Sequence, residues 1–232
     1  RYYAIDKRTG KCTHTNYQLA AKAVEGLLDN QFKKDDIELL ACGCVAPDQL
    51  LPSHAAMVHG ELNCKPTEIV SISTACCAGI QAFKYAFMSV KSGNSANAVA
   101  VGSEKVSAWL KADKFDEEAE DLKHLEENPM IAFEKDFLRW MLSDGAAAFL
   151  LESKPTGDIS LKIEWMESYS FAYELETCMY AGGEKLENGE IKPWNDYSPN
   201  EWLEQSLFSL KQDVKLLGEN ILIKGTQSAV EA

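Results

Sequence analysis

A β-branched run, Ile69-Val70-Ser71-Ile72-Ser73, stops at Thr74-Ala75-Cys76-Cys77 and gives way to Ala78-Gly79-Ile80-Gln81-Ala82-Phe83-Lys84-Tyr85-Ala86. The first run has the composition of a strand; the second has the small and apolar residues of a tightly packed helix. The same succession occurs upstream. Ile37-Glu38-Leu39-Leu40-Ala41-Cys42-Gly43-Cys44-Val45 reads as a buried strand, and Pro52 opens a helical stretch through about Leu62. Short apolar strands alternating with helices require a parallel or mixed sheet covered on both faces, so the expected class is α/β.

The junction also bears on chemistry, because it places a cysteine at the first turn of a helix. First-turn N–H groups lack intrahelical partners and carry the positive end of the macrodipole, which favours thiolate over thiol. The effect is limited. A thiol of ordinary pKa is only about 3% ionised at neutral pH, and a helix terminus contributes about 0.3–1 kcal/mol, roughly one pKa unit or less. Two thiols compete for the role. Gly79 and Ala82 lie three and six positions beyond Cys76, in phase with a close helix crossing, and fall out of phase when counted from Cys77.

The rest of the chain adds organisation. Thr15-Asn16-Tyr17-Gln18 is a capping-box pattern, followed by the apolar stripe Leu19, Ala20, Ala23, Val24 and Leu27 of a helix ending near Asn30. Acidic residues dominate Lys111 to Asn128 and read as a solvated face or excursion. Ile159, Leu161, Ile163 and Trp165 alternate with polar residues, as in a half-exposed strand. Asn188-Gly189 marks a tight turn, and Pro199 opens a long helical region. No Gly/Ser linker divides the chain, so residues 1–232 are read as one domain, with an acidic and apolar excursion at 111–141 and a helical connection at 199–232.

Composition excludes several classes. The net charge is -13 and Arg1, Arg8 and Arg139 are the only arginines, so the basic stripe that nucleic-acid binding needs is missing. No apolar run approaches the length that spans a bilayer, and the N-terminus shows no signal-peptide pattern. Seven scattered cysteines argue against a secreted disulfide framework, and a cytoplasmic location is expected. The chain begins abruptly, without an initiator methionine, as a trimmed fragment would.

Ser73-Thr74-Ala75-Cys76-Cys77-Ala78-Gly79-Ile80-Gln81-Ala82, then Val90-Lys91-Ser92-Gly93, then Ala98-Val99-Ala100-Val101-Gly102-Ser103-Glu104, resembles the nucleophile region of the thiolase-like condensing enzymes. Within that superfamily it is most similar to the 3-oxoacyl-[acyl-carrier-protein] synthase III family. Leu51-Pro52-Ser53 is similar to the family's aromatic-Pro-Ser loop, and Ser143-Asp144-Gly145-Ala146-Ala147-Ala148 to its Gly-Asp-Gly-Ala-Gly-Ala strand entry. The likeness runs in order and spacing from about Thr15 to Ser153.

The resemblance implies the N-terminal half of a duplicated, layered thiolase-like fold. It implies an acyl-cysteine intermediate formed from acyl-coenzyme A, attacked by the carbanion that malonyl-acyl-carrier protein yields on losing carbon dioxide. The interval to Lys-Ser-Gly selects Cys76; Cys77 fits the local Cys-Ala-Gly triplet and stands as second choice. Leu51 takes the place of a residue, often phenylalanine, that limits the acyl pocket across a dimer, with plain core duty as its rival reading. Asp144 and Gly145 are an active-site-adjacent loop, with simple turn chemistry as the rival. Met130, Ile131, Phe133, Phe137, Leu138, Trp140 and Met141 are candidates to shape an acyl pocket, although a dense apolar segment is more often ordinary core.

The resemblance further implies a homodimer with no metal and no resident cofactor, coenzyme A entering only as the substrate thioester. An acidic carrier protein needs a basic patch, for which Lys84, Lys91 and Arg139 are candidates. The family's catalytic histidine and asparagine lie in Pro-His-Gln-Ala-Asn-like and Gly-Asn-Thr-Ser-like motifs, and neither occurs in this sequence. His14, His54, His59 and His124 lack that context and are assigned surface or packing duty. Acylation without efficient condensation is therefore expected of this chain. The family's first strand and its coenzyme A adenine segment are expected upstream of Arg1, so no nucleotide-binding residue is named.

Three rivals stand beside this reading. One is a polyketide-type or hydroxymethylglutaryl-type synthase of the same superfamily. Another is a non-catalytic thiolase-fold binding partner with a relic cysteine. The third is a metal site from Cys42-Gly43-Cys44 and Cys76-Cys77, whose spacing lacks the paired two-residue gaps of zinc sites.

Overall fold

The computed structural model describes residues 2–111, 137–138, 140–156 and 159–231. These fall into two compact units, one built from 1–107 and 143–164 and the other from 108–142 and 165–232.

The first unit is a four-stranded mixed sheet. Strands β1 (Leu39–Gly43), β2 (Glu68–Ile72), β3 (Asn97–Glu104) and β4 (Gly145–Glu152) run in the order β2-β1-β3-β4. β1 pairs parallel with both β2 and β3, and β4 closes the far side antiparallel to β3. All five residues of β1 are buried, the signature of a strand covered on both faces.

Helices α1 (Asn16–Glu25) and α2 (His54–Leu62) cover one face, where Ala20, Val24, Val58 and Leu62 pack on Leu40, Cys42, Val99 and Val101. Helix α3 (Ala78–Ser92) covers the other through Ala82, Ala86 and Val90 against Leu39, Ala41, Ala98 and Ala100. Each buried Leu or Val contributes about 1.5–3 kcal/mol.

The expected helix starts carry their caps. Thr15 and Gln18 form the reciprocal capping box of α1. The α2 helix begins at His54 instead of Pro52, because the Ser53 side chain accepts from the Ala56 N–H and so caps it. The α3 helix fits the sheet by subtraction of side chains. A Cβ on Gly43 would lie 2.2 Å from the Ala78 carbonyl oxygen, and one on Gly102 would lie 3.0 Å from the Gly79 Cα. Backbone therefore meets backbone where α3 starts.

The alternation at 159–165 does not make a strand. Among the described residues it joins none of the sheets; Ile159 and Leu161 are 89% and 92% exposed, and Ile163 packs on the α3 face of the core.

In the second unit, β5 (Met179–Tyr180) pairs antiparallel with β8 (Lys211–Gln212). Strands β6 (Gly183–Lys185) and β7 (Ile191–Pro193) form a hairpin around Asn188-Gly189, with Gly189 at φ +83° as such a turn requires. Trp194, Trp202 and Phe208 stack with ring centroids 5.5–5.9 Å apart. The helical region expected from Pro199 is interrupted. Helix α4 (Pro199–Glu204) ends before Ser206, which takes φ +45°, and β8 intervenes before α5 (Val214–Glu231). Residues 112–136, which hold nearly all of the acidic run, and residue 139 lie outside the described residues.

Candidate functional site

The two cysteines stand where β2 passes into α3. β2 ends at Ile72, and the chain then turns so tightly that the Cys77 N–H donates to the Thr74 carbonyl at 3.0 Å and the Ala78 N–H to the Ala75 carbonyl at 3.2 Å. Ala75 makes this turn with φ +41°, a left-handed conformation that costs a residue with a Cβ about 1–2 kcal/mol. Neither cysteine is inside the helix. Cys77 is the N-cap and Cys76 lies one residue before it, so the expected first-turn placement shifts outward by one to two positions.

Both thiols are exposed, as are Thr74 and Ala75. The buried line of α3 runs through Ala78, Ala82 and Ala86, with Gly79 against Gly102, so the small residues do serve a close crossing. Helical phase does not reach back to Cys76, because the N-cap Cys77 between it and Ala78 is not helical (φ -92°, ψ 3°). Cys77, as N-cap, is the residue whose side chain can reach the N–H groups of the first turn, and no side-chain cap bond is made there.

Cys42 and Cys44 sit elsewhere, buried on the face covered by α1 and α2. Burial pushes both thiols well above their usual range, first by desolvation and, at Cys44, also by the Glu104 charge. They are not thiolates, and they are not grouped with the exposed pair. Among the described residues no three His, Cys, Asp or Glu side chains gather as metal ligands would.

Leu51 lies in the loop between β1 and α2 and is 85% exposed, beside Leu50 at 86%. It is not core. A carboxylate that sequence reasoning did not single out holds the start of this loop. Glu104, at the end of β3, accepts from the Val45 N–H at 2.6 Å and the Ala46 N–H at 3.2 Å. Desolvation raises its pKa despite those two bonds. Asn16 donates through Nδ2 to the Cys44 sulfur and the Ala46 carbonyl, while its Oδ1 is buried with no partner among the described residues. Asp48 returns the favour by accepting the Asn16 and Tyr17 N–H groups.

His54 is buried, with Nε2 2.9 Å from the Ser103 hydroxyl and Nδ1 without a partner among the described residues. Desolvation depresses its pKa, against a smaller opposing pull from Asp48. The only sequence signal for this network was a carboxylate and a histidine at the ends of apolar segments.

Asp144 is 5% exposed and acts as a staple. Its carboxylate accepts the Ala4 N–H at 2.6 Å and the Ser107 N–H at 2.9 Å, and its own N–H donates to the Tyr2 carbonyl. Gly145 begins β4. Both support the entry of a strand. Of the apolar residues proposed for an acyl pocket, 130–133 lie outside the described residues; Trp140 and Met141 are exposed and Leu138 is buried.

Known proteins match this arrangement. The family described as thiolase, N-terminal domain, matches residues 4–130, more than half of the chain. Beta-ketoacyl-[acyl-carrier-protein] synthase III of Clostridium novyi is 28% identical over 105 residues, 45% of this chain and 32% of that protein. The enzyme of the same name from Limosilactobacillus reuteri is 37% identical over 93 residues, 40% of this chain and 29% of that one. The matched stretch thus spans about a third of these curated relatives.

Among solved structures, the tetronic acid condensing enzyme AbyA1 shares the fold with a TM-score of 0.62 at 15% identity, over 95% of this chain and 56% of that one. Xanthomonas campestris OleA aligns with a TM-score of 0.52 at 25% identity, over 62% and 40%. With its parallel core, its glycine-seated helix and its cysteine-bearing strand-to-helix turn, this chain belongs to the thiolase family through an N-terminal domain and is related within it to the beta-ketoacyl-[acyl-carrier-protein] synthase III enzymes.

Proposed function

We propose that this chain is the acyl-accepting part of a condensing enzyme of the synthase III type. It takes an acyl group from coenzyme A onto a cysteine at the β2–α3 turn. The acyl thioester is then the electrophile for a malonyl-acyl-carrier protein carbanion, a decarboxylative Claisen step that initiates fatty-acid or related synthesis. The observation that carries this reading is the exposed cysteine pair presented by a left-handed turn at the start of a helix seated on glycine. A thioester carbonyl can approach such a thiol, and the helix start that follows it in the chain supplies the positive end of a macrodipole for developing negative charge.

Cys76 is the proposed acyl carrier on spacing. A second reading, Cys77, is favoured by one specific observation, its N-cap position. Leu51, on the loop clamped by Glu104, is proposed to limit the acyl chain. Asp144 and Gly145 support the adjoining strand entry.

The proposed assembly is a homodimer in the cytoplasm, and the open outer edge of β2, which pairs only with β1 among the described residues, supports a sheet-edge contact. The proposed chemistry draws on no metal and no resident cofactor. Because the histidine and asparagine motifs are not in this sequence, acylation proceeds and condensation by this chain alone is slow or nil.

Intact-mass measurement after incubation with acetyl-coenzyme A tests the reading. One acetyl adduct is expected, lost in Cys76→Ser and kept in Cys77→Ser; the reverse pattern selects Cys77. An adduct surviving both changes, or none in the unaltered chain, rejects the acyl-cysteine reading, and full condensation by this chain rejects the proposed need for the two motifs.

A further inference from the structure

The condensation chemistry uses one thiol, yet the turn presents two. We infer that Cys76 and Cys77 act together as a vicinal dithiol site for trivalent arsenicals, bridged through both sulfurs by a single arsenic atom. The inference does not depend on which cysteine carries an acyl group, or on whether either does.

The first support is selection among the seven cysteines. Cys42 and Cys44 are buried, Cys12 is exposed but far from any other cysteine in sequence and lies on a different turn, and Cys64 and Cys178 are half-buried. Among the described residues, Cys76 and Cys77 are the one pair of neighbouring thiols that both reach solvent.

The second support is the backbone. The 74–77 turn, closed by the bonds from Cys77 to Thr74 and from Ala78 to Ala75, fixes the two cysteine backbones relative to each other before anything binds. Its foot is anchored by the glycine contacts of α3. Such preorganisation reduces the entropy lost when the second sulfur closes a ring.

The third support is the separation of the two residues. The peptide between them is trans, since Leu51-Pro52 is the cis bond of the described chain. Neighbouring Cα atoms across a trans bond are about 3.8 Å apart, shorter than the roughly 4.4–6.8 Å that disulfides span. A direct S–S bond between them is therefore strained and easily reduced. Inserting a third atom with two long bonds to sulfur removes that strain, which favours a bridging thiophilic centre over oxidation of the pair.

The chemistry balances without an oxidant. An arsenoxide R–As=O takes the two S–H protons onto its oxygen, which leaves as one water, and two As–S bonds replace the As=O bond. Arsenic remains trivalent and both sulfurs remain at the thiol oxidation level. Occupancy covers both candidate nucleophiles at once.

The probe is phenylarsine oxide, added in equimolar amount to the reduced, desalted chain, with intact mass and peptide mapping as readouts. One adduct with loss of one water is expected, mapped to the peptide carrying both cysteines. It is expected to resist excess 2-mercaptoethanol and to be removed by 2,3-dimercaptopropanol. Cys76→Ser and Cys77→Ser should each weaken apparent binding by about a hundredfold or more, the loss of a tethered second ligand, while Cys12→Ser leaves it unchanged. An adduct mapping elsewhere, or one stripped by the monothiol in the unaltered chain, overturns the inference without recourse to any variant. Retained resistance in either serine variant overturns it too. Failure of acetyl loading with a persistent arsenical adduct rejects the acyl-cysteine reading alone.

Discussion

Replacing Gly43 by alanine tests whether the site is built by backbone contact. The new Cβ would stand 2.2 Å from the Ala78 oxygen, 2.3 Å from its carbonyl carbon and 2.6 Å from the Gly79 nitrogen. Carbon and oxygen tolerate about 3.2–3.5 Å, so the start of α3 must retreat by about 1 Å. A flexible side chain cannot relieve the clash, because the three nearest atoms are all main chain. Overpacking typically costs about 1–3 kcal/mol, and backbone against backbone belongs at the upper end, near 3 kcal/mol of the roughly 5–15 available to a domain.

The five tryptophans all lie in the second unit, so tryptophan fluorescence would watch the wrong part of the chain. Amide hydrogen exchange of segments 39–43 and 78–92, read by mass spectrometry, watches the right one. Gly43→Ala should exchange there about a hundredfold faster, the equivalent of nearly 3 kcal/mol. Gly102→Ala, whose Cβ meets Gly79 Cα at 3.0 Å, should show a smaller effect of the same sign. Gly60→Ala, inside α2 with nothing within 4 Å, should instead gain about 0.5–1 kcal/mol from helix propensity. Exchange within threefold of the unaltered chain in Gly43→Ala would refute the argument that glycine seats the cysteine turn.

Asp144→Ala strips two buried amides of their acceptor and should cost about 2–5 kcal/mol in urea denaturation followed by far-ultraviolet circular dichroism, with Asp144→Asn costing less. Ala75→Gly should relieve up to about 1–2 kcal/mol of left-handed strain, whereas Ala75→Val should destabilise; equal stability of the two would contradict the φ of +41°. His54 is depressed by burial, so its share of stability is full above its unfolded pKa near 6.5 and is lost as pH falls through the lower folded value; His54→Gln should flatten the fall in stability between pH 7 and 5. Glu104 is raised, so the opposite holds. Its contribution is full below about 4.5 and is lost as pH rises through the folded value, and Glu104→Gln should remove that loss in the same titration.

The parts of this fold legible in the sequence are those whose cause is local. The Thr15–Gln18 box, the uninterrupted apolar β1 and the β-branched β2 each announce themselves within a few residues. The glycine seat was half legible. Small residues in α3 signalled a close crossing, but their partners Gly43 and Gly102 lie on separate strands and could not be paired by reading along the chain. Cys76 lies outside the helix for a physical reason: helical phase holds only from Ala78 onward, and the non-helical N-cap Cys77 (φ -92°, ψ 3°) separates Cys76 from it.

The region after Pro199 failed in the opposite way. Its composition is helical throughout, and only the turn at Ser206 and the pairing of Lys211–Gln212 with Met179–Tyr180 divide it. Tertiary pairing outweighed propensity there, as it did in reverse at 159–165, where strand alternation is not enough to make a strand.

The network around Glu104 was hidden because its members are 28 to 60 residues apart. Its effect on the candidate site follows from covalent geometry. Glu104 fixes Val45 and Ala46 at the head of the loop that ends in Leu51, and the same strand, two residues earlier, presents Gly102 to the start of α3. One strand end therefore sets both the loop proposed to limit the acyl chain and the helix that carries the cysteines. A shift of β3 would move the proposed wall and the proposed nucleophile together, which preserves their spacing, whereas loss of the Glu104 bonds would move the proposed wall alone. Glu104→Gln can accept through one oxygen where the carboxylate uses two, so it should alter which acyl lengths load onto the cysteine before it alters how fast a short one does.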